Sequence, residues 1–142
     1  MSAACVDLLR ISPQGAIGAS GHMGLTIQVD NPSTMPCQLS GFPAVRLLDA
    51  TGGVMTAAAD GGGFLTGTRE PVQVVVIPPG DDASFVLEWA DVSKAPCPGG
   101  VQLGVTLPRA TSEATFPARS TDGVVVAPCE TGMVVSPILA RS

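Results

Sequence analysis

The sequence has no tyrosine, one tryptophan, one histidine and one lysine. Each scarcity removes a class of function. A nucleic-acid binder needs a basic footprint. Here the net charge is −5, Lys94 stands alone, and Arg10, Arg46, Arg69, Arg109, Arg119 and Arg141 are spread along the chain. The same dispersion argues against an anionic membrane surface as partner. A sugar-binding groove wants aromatic platforms, and four phenylalanines with Trp89 supply few. No apolar run approaches the roughly 18 residues of a spanning helix, so no membrane-spanning segment is expected. Charged residues make up 13% of the chain, about half the usual share. Yet a hydrophobic share of 45% is too high for disorder. Met1-Ser2-Ala3-Ala4 has neither a basic region nor an apolar core, so it does not read as a signal peptide. If the protein is exported, this is its mature part behind an added Met1.

What is abundant is turn chemistry: 17 glycines and 13 prolines in 142 residues. Turns at that density between short apolar runs point to an all-β fold. The length suits one domain, residues 1–142. Leu25 to Val29 alternates strictly, as a half-buried strand does, and Val45 to Leu48 reads as a short strand before a turn at Ala50–Gly53. Residues 51–70, dotted with glycine, read as a pliable loop. Val72 to Ile77 is apolar on both faces and reads as a central strand. A hairpin turn at Pro79–Asp82 then leads to Ala83–Trp89, with Phe85, Leu87 and Trp89 on one face. Met133 to Ile138, interrupted by Pro137, reads as an edge strand. The expected architecture is an Ig-like two-sheet β-sandwich of about seven strands with two disulfides. Trp89 falls outside both expected bridges, which argues against the antibody family itself.

Cys5, Cys37, Cys97 and Cys129 include no C-x-x-C pair, and His22 is the one histidine. A zinc site would have to be four cysteines without close ligand pairs, so disulfides are the better reading. Cys37 stands as far from Cys5 as Cys129 does from Cys97. Folding the chain about Glu113 brings Cys97 level with Cys129. Folding it about Gly21 brings Cys5 to Cys37, provided a bulge absorbs an uneven register. The expected pairs are Cys5–Cys37 and Cys97–Cys129. Cys37, among Pro32, Pro36 and Pro43, is then expected where a strand has ended and the chain leaves the sheet. Each bond closes a loop of about 33 residues, worth roughly 3–4 kcal/mol in the chain-entropy model. Such bonds persist in oxidising surroundings, so the expected location is secreted or cell-envelope. A competing reading makes Ala3-Ala4-Cys5 the end of a lipoprotein signal with Cys5 lipidated, which leaves an odd cysteine count. A lipid anchor or leader outside these residues is compatible with either reading.

No catalytic set emerges. Gly18-Ala-Ser-Gly-His22 is not a nucleophile elbow, because His22 stands where glycine is needed, and it reads as a surface loop. The acids Asp7, Asp49, Asp60, Asp81, Asp82, Glu88, Asp91, Glu113, Asp122 and Glu130 sit mostly in turns, as backbone preference dictates. Asp81-Asp82 is the one adjacent pair that invites a calcium or catalytic reading. Gly61 to Gly67 lacks the G-K-[ST] ending of a phosphate loop. His22-Met23 with Met35, Met55 and Met133 could offer soft ligands to Cu(I), but their scatter suits gap-filling in a core.

Certain blocks resemble a known family. They are Cys5 with Leu8; Leu25, Ile27 and Asn31; Cys37-Gln-Leu-Ser-Gly-Phe-Pro-Ala-Val45; Leu47-Leu-Asp49; Pro79-Gly80; Ala83, Phe85, Leu87 and Trp89; Cys97-Pro98; Leu103 and Val105; Cys129; and Val135-Ser-Pro137. Together they resemble Domain of Unknown Function 4232, found mainly in actinobacterial envelope proteins and lipoproteins. Members often carry an aromatic residue where Met23-Gly24 stand here. The resemblance implies an exported, disulfide-bonded β-sandwich and brings no activity, cofactor or site residues. The expected role is a non-catalytic envelope domain binding a protein partner or small ligand, with Thr51–Thr68 as contact surface. Alternatives are a secreted hydrolase using Asp or Ser, or an envelope copper carrier. If 51–68 is that contact surface, deleting Ala57–Gly63 should leave melting unchanged but reduce pull-down of any envelope partner.

Overall fold

A computed structural model describes residues 5–90, 97–129 and 132–141. The described residues are all-β apart from two 3-10 turns, Cys5–Leu8 and Thr66–Arg69. Eleven strands replace the expected seven: β1 (Arg10–Ala19), β2 (His22–Asp30), β3 (Cys37–Leu39), β4 (Ala44–Leu48), β5 (Val54–Ala57), β6 (Ala59–Asp60), β7 (Val75–Ile77), β8 (Asp82–Ala90), β9 (Gln102–Thr106), β10 (Ala114–Pro117) and β11 (Met133–Val135). They form a five-stranded sheet in the order β1-β2-β8-β11-β6, a four-stranded sheet in the order β10-β9-β4-β5, and a small β3-β7 pair. Among the described residues, no helix is long and apolar enough to cross a membrane.

The arrangement is sandwich-like because the inner faces of all three sheets share one core. Leu25, Ile27 and Val29 on β2 meet Phe85, Leu87 and Trp89 on β8. Val45, Leu47, Leu103 and Val105 cover them from the four-stranded sheet, and Leu39, Val75 and Ile77 from the small pair. β8 is the spine. It pairs with β2 along its whole length, from Asp82 opposite Asp30 to Ala90 opposite His22. On its other side it pairs with β11.

The bridges Cys5–Cys37 and Cys97–Cys129 are present, with Cα separations of 5.7 and 4.9 Å. With its sulfur in a bridge, Cys5 cannot carry a thioether lipid, which corrects that reading. Cys37 opens strand β3 rather than marking a strand's end. The prolines flank the strand without interrupting it, so the bond ties a strand to the first 3-10 turn. The fold about Gly21 is close. Ser20 and Gly21, both at positive φ (50° and 80°), make the two-residue hairpin turn, and the expected irregularity lies between Pro13 and Ala16. Of the expected surface loop Gly18–His22, only Ser20 and Gly21 are turn; Gly18 and Ala19 belong to β1 and His22 to β2.

The mirror about Glu113 holds only at its outer end. The Gly100 N–H donates to the Val126 carbonyl (3.0 Å), beside the Cys97–Cys129 bridge. Inside it, β9 pairs with β10, Leu103 opposite Phe116. The reversal sits at Leu107–Ala110, where Arg109 takes φ 67°. The proline-led turn, not the polar stretch after it, reverses the chain.

Three strand expectations need correction. Val72–Ile77 is not central: β7 pairs only with β3, burying Val75 and Ile77 and leaving Val72, Val74 and Val76 exposed. Apolar residues on both faces permit two-sided burial but do not supply a covering layer. Pro79–Asp82 is a turn, closed by the Asp81 N–H on the Pro78 carbonyl, but no hairpin, since β7 and β8 belong to different sheets. β11 is not an edge, because Pro137 falls beyond its paired residues and β6 docks parallel on its far side.

Asn31 joins these pieces. Its buried side-chain amide donates to the carbonyls of Met35 (2.8 Å) and Ile77 (2.9 Å) and accepts from the Ser33 backbone and hydroxyl. Its backbone bonds Gly80 and Asp81. Asn31→Ala should cost about 2–3 kcal/mol in urea unfolding, because it leaves buried carbonyls without donors. Val76→Ala should cost less than about 1 kcal/mol. A large cost at Val76 would restore the central-strand reading.

Candidate functional site

Alternation along β8 turns Phe85, Leu87 and Trp89 inward, so Glu88 must point away from the core. A glutamate there is ordinarily in water. Instead only 2% of Glu88 is exposed, because residues 61–68 cross the outer face of the five-stranded sheet as a strap. Glycines make the close approach possible. A Cβ on Gly24 would lie 2.5 Å from Leu65 Cδ1, so the bare backbone of β2 is the seat for Leu65. A Cβ on Gly63 would lie 2.4 Å from both Glu88 Oε1 and Thr68 Oγ1. Gly61 and Gly62 turn the strap onto the sheet at φ 66° and 77°.

The Glu88 carboxylate collects the strap's donors. Oε1 accepts from the Leu65 N–H (2.8 Å) and the Thr68 hydroxyl (2.7 Å). Oε2 accepts from the Phe64 N–H (2.7 Å) and lies 3.2 Å from His22 Nδ1. A carboxylate has about four acceptor positions, and here all are engaged. Burial opposes the charge on Glu88. The Thr68 hydroxyl, the Leu65 and Phe64 N–H groups and His22 outweigh burial and hold the carboxyl below its ordinary value. The His22 ring stacks on Phe64 with centroids 4.6 Å apart and planes within 10°. Beside them lies an open cleft of about 440 Å³, lined by His22, Gly63, Phe64, Glu88, Trp89 and Met133 among others.

His22 was expected in a surface loop. It opens β2 instead, and an acid orients its Nδ1. That is the base-and-orienter half of a hydrolytic triad. The described lining of the cleft holds no serine, threonine or cysteine to complete it. Ser20 is the first residue of the β1–β2 turn.

The segment 51–68 is more ordered in pattern than its glycines suggested. It contains β5, β6 and the start of the second 3-10 turn. It exposes Val54, Met55 and Phe64. Deleting Ala57–Gly63 would remove β6 and the residues that lead into the Glu88 contacts, so melting should fall rather than stay unchanged.

Of the acids read as turn residues, Asp49 and Asp122 sit at turns, whereas Asp60 ends β6, Asp82 opens β8 and Glu88 lies within β8. Asp49 accepts from the Thr51 and Gly53 N–H groups (2.9 Å each), and these bonds with the Thr51 hydroxyl hold its carboxyl low. Arg141 occupies the place a cation would take at Asp81-Asp82. Its Nη1 lies 2.6 Å from Asp81, and its Nε lies 4.0 Å from Asp82. Glu113 is held by both arms of Arg46 (2.7 Å each). Met23 and Met133 both lie opposite Trp89, while Met35 and Met55 are exposed elsewhere. Among the described residues, no group of three His, Cys, Asp or Glu side chains is placed to hold a metal. Asp91, Lys94, Glu130 and Ala3-Ala4 lie outside the described residues.

The sequence showed Glu88 only as an outward polar position on a strand. Its partners come from a segment some 20 residues earlier, and no local pattern announces them. The excess of glycine at 61–67 was the available signal, because glycine is also what a close backbone crossing requires.

The profile of the family described as Domain of unknown function (DUF4232) matches residues 6–138, nearly the whole chain. No curated protein matches it.

Gly63→Ala should destabilise the protein by about 1–3 kcal/mol in thermal or urea unfolding, since Glu88 and Thr68 are both bonded and cannot yield freely. Gly15→Ala, with nothing within 4 Å, should stay within about 0.5 kcal/mol of wild type. Equal effects at the two positions would show that the strap does not sit this close to the sheet.

Proposed function

The chain belongs to the DUF4232 family, and we propose that it serves outside the cytoplasm as a non-catalytic domain that binds a protein partner or small ligand through residues 51–68. The observation that carries this reading is the strap itself. A glycine-rich segment is pinned to a rigid sheet by one buried carboxylate while Phe64 stays 47% exposed. Pinning lowers the entropy lost on binding, and a half-exposed aromatic is a common anchor at interfaces. The two bridges support an oxidising compartment. The engaged lone pairs of Glu88 speak against its use as a general base, and an oriented His22 with no serine, threonine or cysteine among the described residues of its cleft speaks against covalent catalysis.

A hydrolase is the second reading, favoured only by the His22–Glu88 contact. An ester and amide panel would decide it: activity that disappears in His22→Ala supports the enzyme and displaces the binding role.

A photo-crosslinking residue placed at Phe64 or Met55, in protein made by its own host, should give a discrete adduct. The same residue at Gln102 on β9 should give none. Adducts at no position, or equally at Gln102, would remove the strap from the role. Non-reducing peptide mapping of that material should recover both bridges. Free thiols would overturn the location.

A further inference from the structure

Among the described residues, every hydrogen bond from residues 62–68 to the sheet ends on one side chain. Phe64 N–H, Leu65 N–H and the Thr68 hydroxyl all donate to Glu88. The remaining bonds of residues 62–68 stay within the segment or its flank: Gly62 N–H to the Thr68 carbonyl, Thr68 N–H and hydroxyl to the Leu65 carbonyl, and Glu70 N–H to the Gly67 carbonyl. Gly61, at the hinge, bonds the Val135 carbonyl. A segment fastened by several side chains would loosen by degrees. One fastened by a single ionisable group has a release.

We propose that residues 61–68 form an acid-released latch, held closed by the Glu88 carboxylate and opened when that carboxyl takes up a proton. A neutral carboxyl carries an O–H donor and cannot accept four donors at once. At least one of the strap's donors is then left facing another donor in a dry site, where an unmet polar group is costly. The titratable groups around Glu88 are few. His22 on β2 lies 3.2 Å away and adds charge attraction when protonated. β11 contributes Met133, Val134 and Val135, and residues 61–68 contain no charged side chain. Asp60, Arg69 and Glu70 flank the strap and are exposed.

The sign follows from the direction of the Glu88 shift. Its carboxyl is held below the ordinary glutamate value of 4.5 in the folded protein. The latch's contribution is therefore fully present above that value and is lost as pH falls through the lower folded one. Opening uncovers Leu65 and Val86, both buried beneath or within the strap, and frees Phe64 from its stack on His22. The shared core lies on the other side of the sheet and contains no residue of the strap. Opening is thus a local event, distinct from unfolding.

Hydrogen exchange read by mass spectrometry, with rates corrected for the intrinsic effect of pH, tests this directly. In the wild type, protection of peptides covering 61–70 should fall at least about tenfold between pH 6 and pH 3, the scale of one lost bond to a charged group. Peptides from β2 and β8 should keep theirs. Glu88→Gln should show the low protection at pH 6 already and little change below it. Strap protection that ignores pH, or that disappears only together with β2 and β8, would overturn the latch. Should Glu88→Gln fail to fold, the wild-type series decides alone. Thr68→Val, which removes one donor and keeps the shape, should lower strap protection severalfold without touching the core. No change there would count against the proposal.

Discussion

A single carboxylate on the outer face of the five-stranded sheet carries more of this structure than its position suggests. Glu88 sits toward the C-terminal end of β8, the strand that pairs with both β2 and β11. Buried charge is expensive unless every lone pair finds a donor. That condition is met only if residues 63–68 lie where they do. The converse also holds, because beyond the Gly61 N–H on the Val135 carbonyl the strap has no other bonded hold on the sheet among the described residues. Charge and strap thus depend on each other. The glycines at 24 and 63 follow from the dependence, since either Cβ would lift the strap away from its anchor.

A different constraint acts at the end of the molecule where the small pair lies. There β3 and β7 are too short to hold themselves, with three residues each. Cys5–Cys37 ties β3 to the first 3-10 turn, and the Asn31 amide ties the Ile77 carbonyl to the proline-rich turn. The Cys97–Cys129 bridge adjoins the Gly100–Val126 contact in the same way. Both bridges close segments where strand pairing is sparse, so covalent bonds stand in where the hydrogen-bonded ladder is thin.

These features also bear on what the surface is for. A hydrolytic site needs a nucleophile near its base, and the described surroundings of His22 offer an acid and an aromatic ring instead. An acid-held strap that presents a phenylalanine is better suited to contact than to turnover. The exposed valines at 72, 74 and 76, on β7 and the segment leading into it, are another apolar surface. It is flanked by Pro71 and Pro78, which cannot donate to a neighbouring strand and so blunt an otherwise adhesive edge.

Much of the architecture was legible without coordinates. Strict alternation at Leu25–Val29, and Phe85, Leu87 and Trp89 on one face of Ala83–Trp89, identified two strands and their buried faces, because a pleated strand leaves no other way to bury every second residue. Equal cysteine spacing with no C-x-x-C identified both bridges, even though the inner register about Glu113 differs. Val72–Ile77 and Met133–Ile138 were misplaced because apolar content describes what a strand can tolerate, not which neighbours reach it. The 51–70 segment was the hardest to read: glycine signals freedom in an open loop and close packing under a crossing chain, and composition alone does not separate the two. The sequence by itself determined the β class and the disulfide partners. Each of these is local chemistry or spacing. Only the tertiary structure decided which strands are neighbours, and that Glu88, written as an outward residue, is buried. Long-range contact is the one thing a residue cannot encode without its partner.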